Sequence, residues 1–235
     1  MKKSLFLFAI LPILLSFVLP SDGCSSLLFF KEGTSMTLTS YSDDDKLLGS
    51  SKTVYTKVTK TATGAEVEAN QESFDKKGKS QGKSTFTLKC INGTLLFDLK
   101  MMLDDKQADA YKDFEMVVEG TDKEIPSNLS VGTTLKDADV KFSFRTKEGT
   151  PFPMMNMSIR VFNRKVEAIE TVTSPAGTWE CFKLSEEMEM KGLVKIKGKS
   201  ISWFNYEAGM VKTESYNSKG KLTGKTILTE LVKGK

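Results

Sequence analysis

The chain has 235 residues, 39% of them apolar, a formal net charge of +4 and no histidine. The missing histidine removes Ser-His-Asp and Cys-His catalytic sets, HExxH zinc sites and most transition-metal sites in one step. The 34 basic residues are spread along the chain without blocks. A nucleic-acid footprint needs clustered Lys/Arg, so none is expected.

Residues 1–23 read as a signal peptide. Lys2 and Lys3 make a positive start, Leu5 to Leu19 is apolar apart from Pro12 and Ser16, and Pro20 closes the run. That is roughly 15 residues, short of the ~20 a membrane-spanning helix needs. Ser21 and Gly23 place small residues before Cys24. Two readings share this junction. Ordinary cleavage releases a soluble chain; lipidation of Cys24 holds the chain at a membrane surface by two acyl chains. Gly23-Cys24 fits lipidation, whereas Ser21 and Asp22 depart from the usual pattern. Loss of Lys2, Lys3 and Asp22 with the leader takes the net charge from +4 to +3. Either way the chain is exported, to the periplasm or outer membrane, and residues 24–235 are expected to form a single β domain.

The dominant period in that domain is two. Val140, Phe142 and Phe144 alternate with Lys141, Ser143 and Arg145; Met155, Met157, Ile159 and Val161 alternate with Asn156, Ser158 and Arg160. Leu95, Phe97, Leu99 and Met101 repeat the pattern, as do Phe182, Leu184, Met188 and Met190, where Glu186 is the exception. Such runs are half-buried strands with one wet face. Turn signals separate them at Asn92-Gly93, Glu148-Gly149, Ala176-Gly177, Lys197-Gly198 and Lys219-Gly220. The expected fold is all-β, an antiparallel curled sheet or barrel of ten or eleven strands. One short helical insertion is expected over Asp104–Phe114, where helix formers follow two acidic residues.

An internal echo recurs at three places. Ser40-Tyr41 precedes Lys46 and Gly49, Ser73-Phe74 precedes Lys79 and Gly82, and Ser215-Tyr216 precedes Lys221 and Gly224. Each reads as strand, polar turn, strand. The aromatic residues stand 33 and 142 positions apart, too unequal for a solenoid or propeller. Repeated hairpin chemistry is the simpler account.

With Cys24 lipidated, Cys90 and Cys181 are left as the candidate disulfide pair; without lipidation any two of the three cysteines can bond. Strand parity argues against Cys90–Cys181. Cys90 shares a face with Phe86 and Leu88, whereas Cys181 falls opposite Phe182 and Leu184.

Catalytic patterns are missing. No glycine-rich phosphate loop, P-loop or GxSxG elbow occurs. Asp43-Asp44-Asp45 lacks the EF-hand spacing and reads as a solvated turn. Glu187 and Glu189 share a wet strand face, where such residues are expected anyway. Thioethers are soft ligands for Cu(I), but without histidine or a Met-rich loop the eleven methionines read as adaptable core filling. No cofactor, metal or catalytic residue is assigned, and the chain is not expected to be an enzyme.

The residues left for binding are aromatic. Trp179 and the cluster Trp203-Phe204-Asn205-Tyr206 would suit the mouth of an apolar cavity or a partner face, or pack in an ordinary core. Arg164, one of three arginines, would hold a carboxylate there or snorkel from an edge.

Several stretches together resemble a known family. They are Lys31-Glu32-Gly33-Thr34, Ile125-Pro126-Ser127-Asn128 before Val131-Gly132-Thr133-Thr134-Leu135-Lys136-Asp137-Ala138, Asn163-Arg164-Lys165-Val166-Glu167, Ser174-Pro175-Ala176-Gly177-Thr178-Trp179-Glu180-Cys181, Gly209-Met210-Val211-Lys212, and Ser215-Tyr216 before Lys219-Gly220. The chain resembles the TapB-like family of exported bacterial proteins over roughly residues 24–232. The resemblance implies one curled β domain in the cell envelope and brings no catalytic residues. The first hairpin departs from the family pattern at Asp43-Asp44-Asp45.

The expectation is therefore a non-catalytic envelope protein whose concave face binds an apolar or amphipathic ligand such as lipid. The alternative is a structural or assembly partner in an envelope protein complex. A lipid carrier requires a continuous apolar cavity of about 300 Å³ or more, and a filled interior favours the assembly role.

Overall fold

The computed structural model describes Leu27 and residues 30–98, 114–146, 150–151 and 156–234. Among the described residues fourteen strands form one antiparallel sheet. They are β1 (Ser35–Ser42), β2 (Leu47–Thr61), β3 (Gly64–Asp75), β4 (Ser80–Ile91), β5 (Thr94–Phe97), β6 (Phe114–Gly120) and β7 (Lys123–Pro126). The second half contributes β8 (Thr134–Leu135), β9 (Ala138–Thr146), β10 (Met157–Ser174), β11 (Gly177–Lys191), β12 (Lys195–Asn205), β13 (Gly209–Asn217) and β14 (Leu222–Val232). The spatial order is β6-β9-β10-β11-β12-β13-β14-β1-β2-β3-β4-β5-β7, with β8 beside β10. The all-β expectation is met. The expected helix lies outside the described residues except for Phe114, which opens β6 as a strand.

Pairing of β14 with β1 joins the last described strand to the first at the middle of the sheet. It also explains the internal echo. Hairpins β13–β14, β1–β2 and β3–β4 stand side by side, although the first lies far from the others in sequence. Their registers slip at the same place, between Ser215/Tyr216, Ser40/Tyr41 and Ser73/Phe74. Ser42, Asp75 and Asn217 donate their N–H to the carbonyls of Lys46, Lys79 and Lys221 at 2.9, 2.9 and 3.0 Å. Their side-chain oxygens accept the N–H of those same lysines at 3.1, 2.9 and 3.1 Å. The tight turn then needs a left-handed residue, filled by Asp45 (φ 63°), Gly78 (φ 76°) and Gly220 (φ 76°). One bulged turn is thus built three times.

Glycine lets these units approach. A Cβ on Gly49 would stand 2.3 Å from the Phe74 carbonyl oxygen, and one on Gly224 2.8 Å from that of Tyr41. Gly198 repeats this against Tyr216, at 2.8 Å. Lys197-Gly198 is therefore mid-strand and not a turn; the chain reverses at Gly192-Leu193-Val194 between β11 and β12.

The core has two parts. One joins Val67, Leu88, Leu95, Ile125, Val166, Leu184, Phe204, Val211 and Leu228 with Leu27 and Phe30. The other gathers Val140, Phe142, Phe144, Ile159 and Val161, against which Met157, Met188 and Met190 pack. Glu186 falls between Leu184 of the first and Met188 of the second, on the same strand face.

Candidate functional site

The ends of the sheet order, β6 and β7, are consecutive in sequence and joined by Thr121 and Asp122 alone. So short a link requires the sheet to curl until its ends adjoin. No backbone ladder closes this seam among the described residues, so the sheet is curled and not a closed barrel. Side chains span it. β7 pairs with β5 through one edge, which leaves the carbonyls of Glu124 and Pro126 on the other. Arg164 Nη2 donates to Glu124 O at 2.9 Å, and Tyr206 Oη donates to Pro126 O at 2.6 Å. Pro126 has no N–H to satisfy there, which suits an edge.

Arg164 reaches the seam because β10 bulges. Its register with β11 slips between Phe162 and Lys165, leaving Asn163 and Arg164 out of that ladder, with Asn163 left-handed at φ 51°. The Arg164 side chain turns inward and is 1% exposed. Its Nη1 donates to Lys136 O at 2.6 Å and its Nε to Glu186 Oε2 at 3.4 Å. Lys123 Nζ meets the other oxygen of Glu186 at 2.5 Å, and Ser200 Oγ donates to it at 3.2 Å.

The charges in this layer compensate one another. Burial pulls the Arg164 pKa down, opposed chiefly by Glu186. Burial likewise pushes the Glu186 carboxyl up, but Lys123 and Arg164 outweigh it and hold the group below its usual value. All three side chains are consumed within the protein. Arg164 does hold a carboxylate, and that carboxylate is the chain's own.

The aromatic candidates divide. Trp203 and Phe204 are neighbours on β12 and project to opposite faces. Phe204 is buried, with the Tyr206 ring edge-on at 5.2 Å; Phe182 meets Tyr206 at 5.8 Å. Trp203 is also buried, its Nε1 donating to Glu170 at 2.7 Å. Lys212 and Lys183 lie over its ring at 4.5 and 5.4 Å from the centroid. The Trp203 hydrogen bond, then Lys183, lowers the Glu170 pKa. Trp179 is half-buried against the first core cluster, its ring over the Gly177 turn. Arg164, Trp203, Phe204 and Tyr206 thus pack into the fold and do not assemble a single open face.

The candidate Cys90–Cys181 bond does not form. Cys181 is a free, buried thiol that donates to Trp179 O at 3.6 Å, and burial pushes its pKa up to about 11. Cys90 is disulfide-bonded. Strand parity is not the reason, since Cys181 is buried in the same core cluster as Cys90 and Leu184. Cys24 and the expected signal peptide, residues 1–23, lie outside the described residues.

An open groove of 480 Å³ lies over β2, β3 and β4, lined by Lys52, Val54, Asn70, Glu72, Lys83 and Thr85 among others. Only Val54 in that set is apolar. The acidic turn is occupied by cations of the chain itself: Asp43, Asp44 and Asp45 meet Lys221, Lys46 and Lys225 at 3.1, 2.6 and 2.5 Å.

Sequence reading missed Lys123, Glu186 and Glu170. Glu186 did leave a signal, as the acid that interrupts an apolar strand face; Lys123 left none, because β7 is too short to show alternation.

The family model described as DUF3108-like matches residues 31–228. The stretches that resemble the TapB-like family fall in that range, but the model carries the DUF3108-like description and not the TapB-like name. Two solved structures share the fold. A protein from Bacteroides fragilis, provisionally described as exported and with a YmcC-like fold, superposes with a TM-score of 0.68 at 24% identity, over 86% of this chain and 97% of its own. A protein from Parabacteroides distasonis, provisionally described as a lipoprotein, gives 0.65 at 22% identity, over 87% and 98%. Among curated proteins no match is found.

Proposed function

The chain belongs to the DUF3108-like family, and we propose that it is a non-catalytic, exported component of the cell envelope that acts through its outer surface as a structural or assembly partner. The observation that carries this reading is what fills the curled sheet. Met188, Met190, Phe142 and Phe144, the inward residues best suited to line an apolar chamber, pack on one another. Between Leu184 of the first cluster and Met188 of the second, on the same strand face, stands Glu186, paired with Lys123 and the buried Arg164. An apolar ligand entering there would strip a buried ion pair of its partners, which is costly. The 480 Å³ groove is polar-lined and suits a polar partner better than an acyl chain. Export is supported by the leader pattern of residues 1–23 and by the descriptions of the two structural neighbours.

Native mass spectrometry after cross-linking in its own host tests the reading. The expected result is a specific protein–protein adduct, with the released monomer at its bare polypeptide mass plus any anchor. A stoichiometric lipid retained by the folded monomer, lost when Phe142 or Met188 is enlarged, would overturn it and restore internal ligand carriage.

A further inference from the structure

The tip of hairpin β11–β12 carries the most exposed large apolar side chains among the described residues. Leu193 is 87% exposed and Val194 71%. Folding gains nothing from placing them there, since they reach no core. The tip also projects. The last pair between β12 and β13 is Gly198–Asn217, so Lys195, Ile196 and Lys197 pair only with β11 on that side. The tip stands about 10 Å beyond the β13 ladder, at ~3.4 Å per residue.

Its two faces differ. Lys191, Lys195 and Lys197 alternate with the apolar residues and converge on one carboxylate, Glu189, at 2.8, 3.1 and 3.1 Å. One negative charge cannot neutralise three positive ones, so the collar keeps a cationic surplus. Ile196 lies on the other face and pairs with Met190, which packs against the second core cluster. An apolar prow with a lysine collar matches the layering of a bilayer surface, where aliphatic side chains enter the acyl boundary and flexible lysines reach the phosphates. Two residues at a turn are too small a patch for a stable protein interface, which needs ~800 Å² from each side. They suffice for shallow insertion.

We infer that the β11–β12 tip docks this protein on an anionic lipid surface through Leu193 and Val194, with Lys191, Lys195 and Lys197 at the headgroups. This contact lies at the opposite end of the sheet from the start of β1. Ser35 pairs with Val232, whereas the neighbouring turns of β13–β14 and β1–β2 close at the far ends of those strands. The tip is therefore distinct from an anchor at the N-terminus, and the inference does not rest on the assembly reading.

Flotation with vesicles tests it, using the chain from residue 24 onwards prepared without acylation. Binding is expected to vesicles with 30% phosphatidylglycerol in phosphatidylcholine, falling about fivefold for each lysine neutralised. Leu193→Asp with Val194→Asp should reduce binding at least tenfold while leaving the circular dichroism unchanged, because neither side chain is packed. Leu193→Trp should show a blue-shifted emission on binding. Equal binding to pure phosphatidylcholine would overturn the inference. So would binding that survives the double aspartate variant, or failure of the folded wild type to bind.

Discussion

Arg164 on β10 donates a hydrogen bond of 2.9 Å to the carbonyl of Glu124 on β7, the strand at the far end of the sheet order. One guanidinium thus ties together backbone positions that no ladder connects. It takes a second carbonyl, Lys136 O, and a carboxylate, Glu186, with its remaining donors. A planar fork with five donors can do this; an ammonium cannot. Arg164→Lys should therefore behave as a severe change, and Arg164→Met should cost about 3–5 kcal/mol, because it leaves edge carbonyls and part of a buried carboxylate unpaired. Urea unfolding gives the size. Hydrogen exchange gives the place: amides of β7 should lose protection before those of β1 and β14.

Glu186 makes the same layer sensitive to acid. Its pKa in the folded state is lowered, with Lys123 and Arg164 outweighing burial. A carboxyl depressed on folding adds stability that is present above its unfolded pKa, near 4.5, and is lost as pH falls through the lower folded value. The stability difference between wild type and Glu186→Gln should therefore be greatest at neutral pH and shrink below about pH 4.5. Unfolding series at pH 7, 5, 4 and 3 read this directly. A difference independent of pH would mean that Glu186 contributes by packing alone.

Much of this was legible in the sequence, and the rest was hidden for definite reasons. Alternating runs located β9, β10 and β11, and the triple Ser-aromatic echo located three hairpins. Strands β7 and β8 are four and two residues long, too short to show a period, so the expected strand count is low. Gly198 read as a turn because glycine has two uses; here it clears the Tyr216 carbonyl in mid-strand. Arg164 was marked as able to hold a carboxylate, but its partners come from β7 and β11, brought close only when the sheet curls. The aromatic run Trp203 to Tyr206 suggested one face, whereas strand alternation splits it between two.

The repeated turn predicts a stabilising substitution. Gly78 and Gly220 hold the left-handed position in two hairpins, and Asp45 holds it in the third, at φ 63°. A side chain there is strained by roughly 1 kcal/mol. Asp45→Gly should recover about that amount, since the ion pair it forfeits to Lys225 leaves Asp45 72% exposed and is worth little. Gly78→Ala and Gly220→Ala should lose about 1 kcal/mol each from backbone strain alone, because nothing lies within 4 Å of the added carbon. Gly49→Ala should cost more, its Cβ meeting the Phe74 carbonyl at 2.3 Å. Denaturant midpoints of the four variants would rank these effects.

Cys181 should be chemically silent in the native protein. The thiolate is the reactive form, and a pKa of about 11 leaves very little of it at pH 8. Burial also denies access to reagents in solution. Iodoacetamide at pH 8 should leave Cys181 unmodified in the folded chain and label it once urea is added. Peptide mapping without reduction should recover the Cys181 peptide unbridged, while the Cys90 peptide appears only in cross-linked form. A Cys90–Cys181 cross-linked peptide would contradict the structure directly. Rapid native labelling of Cys181 would mean that the end of the sheet around Trp179 opens under native conditions, and its rate would measure how often.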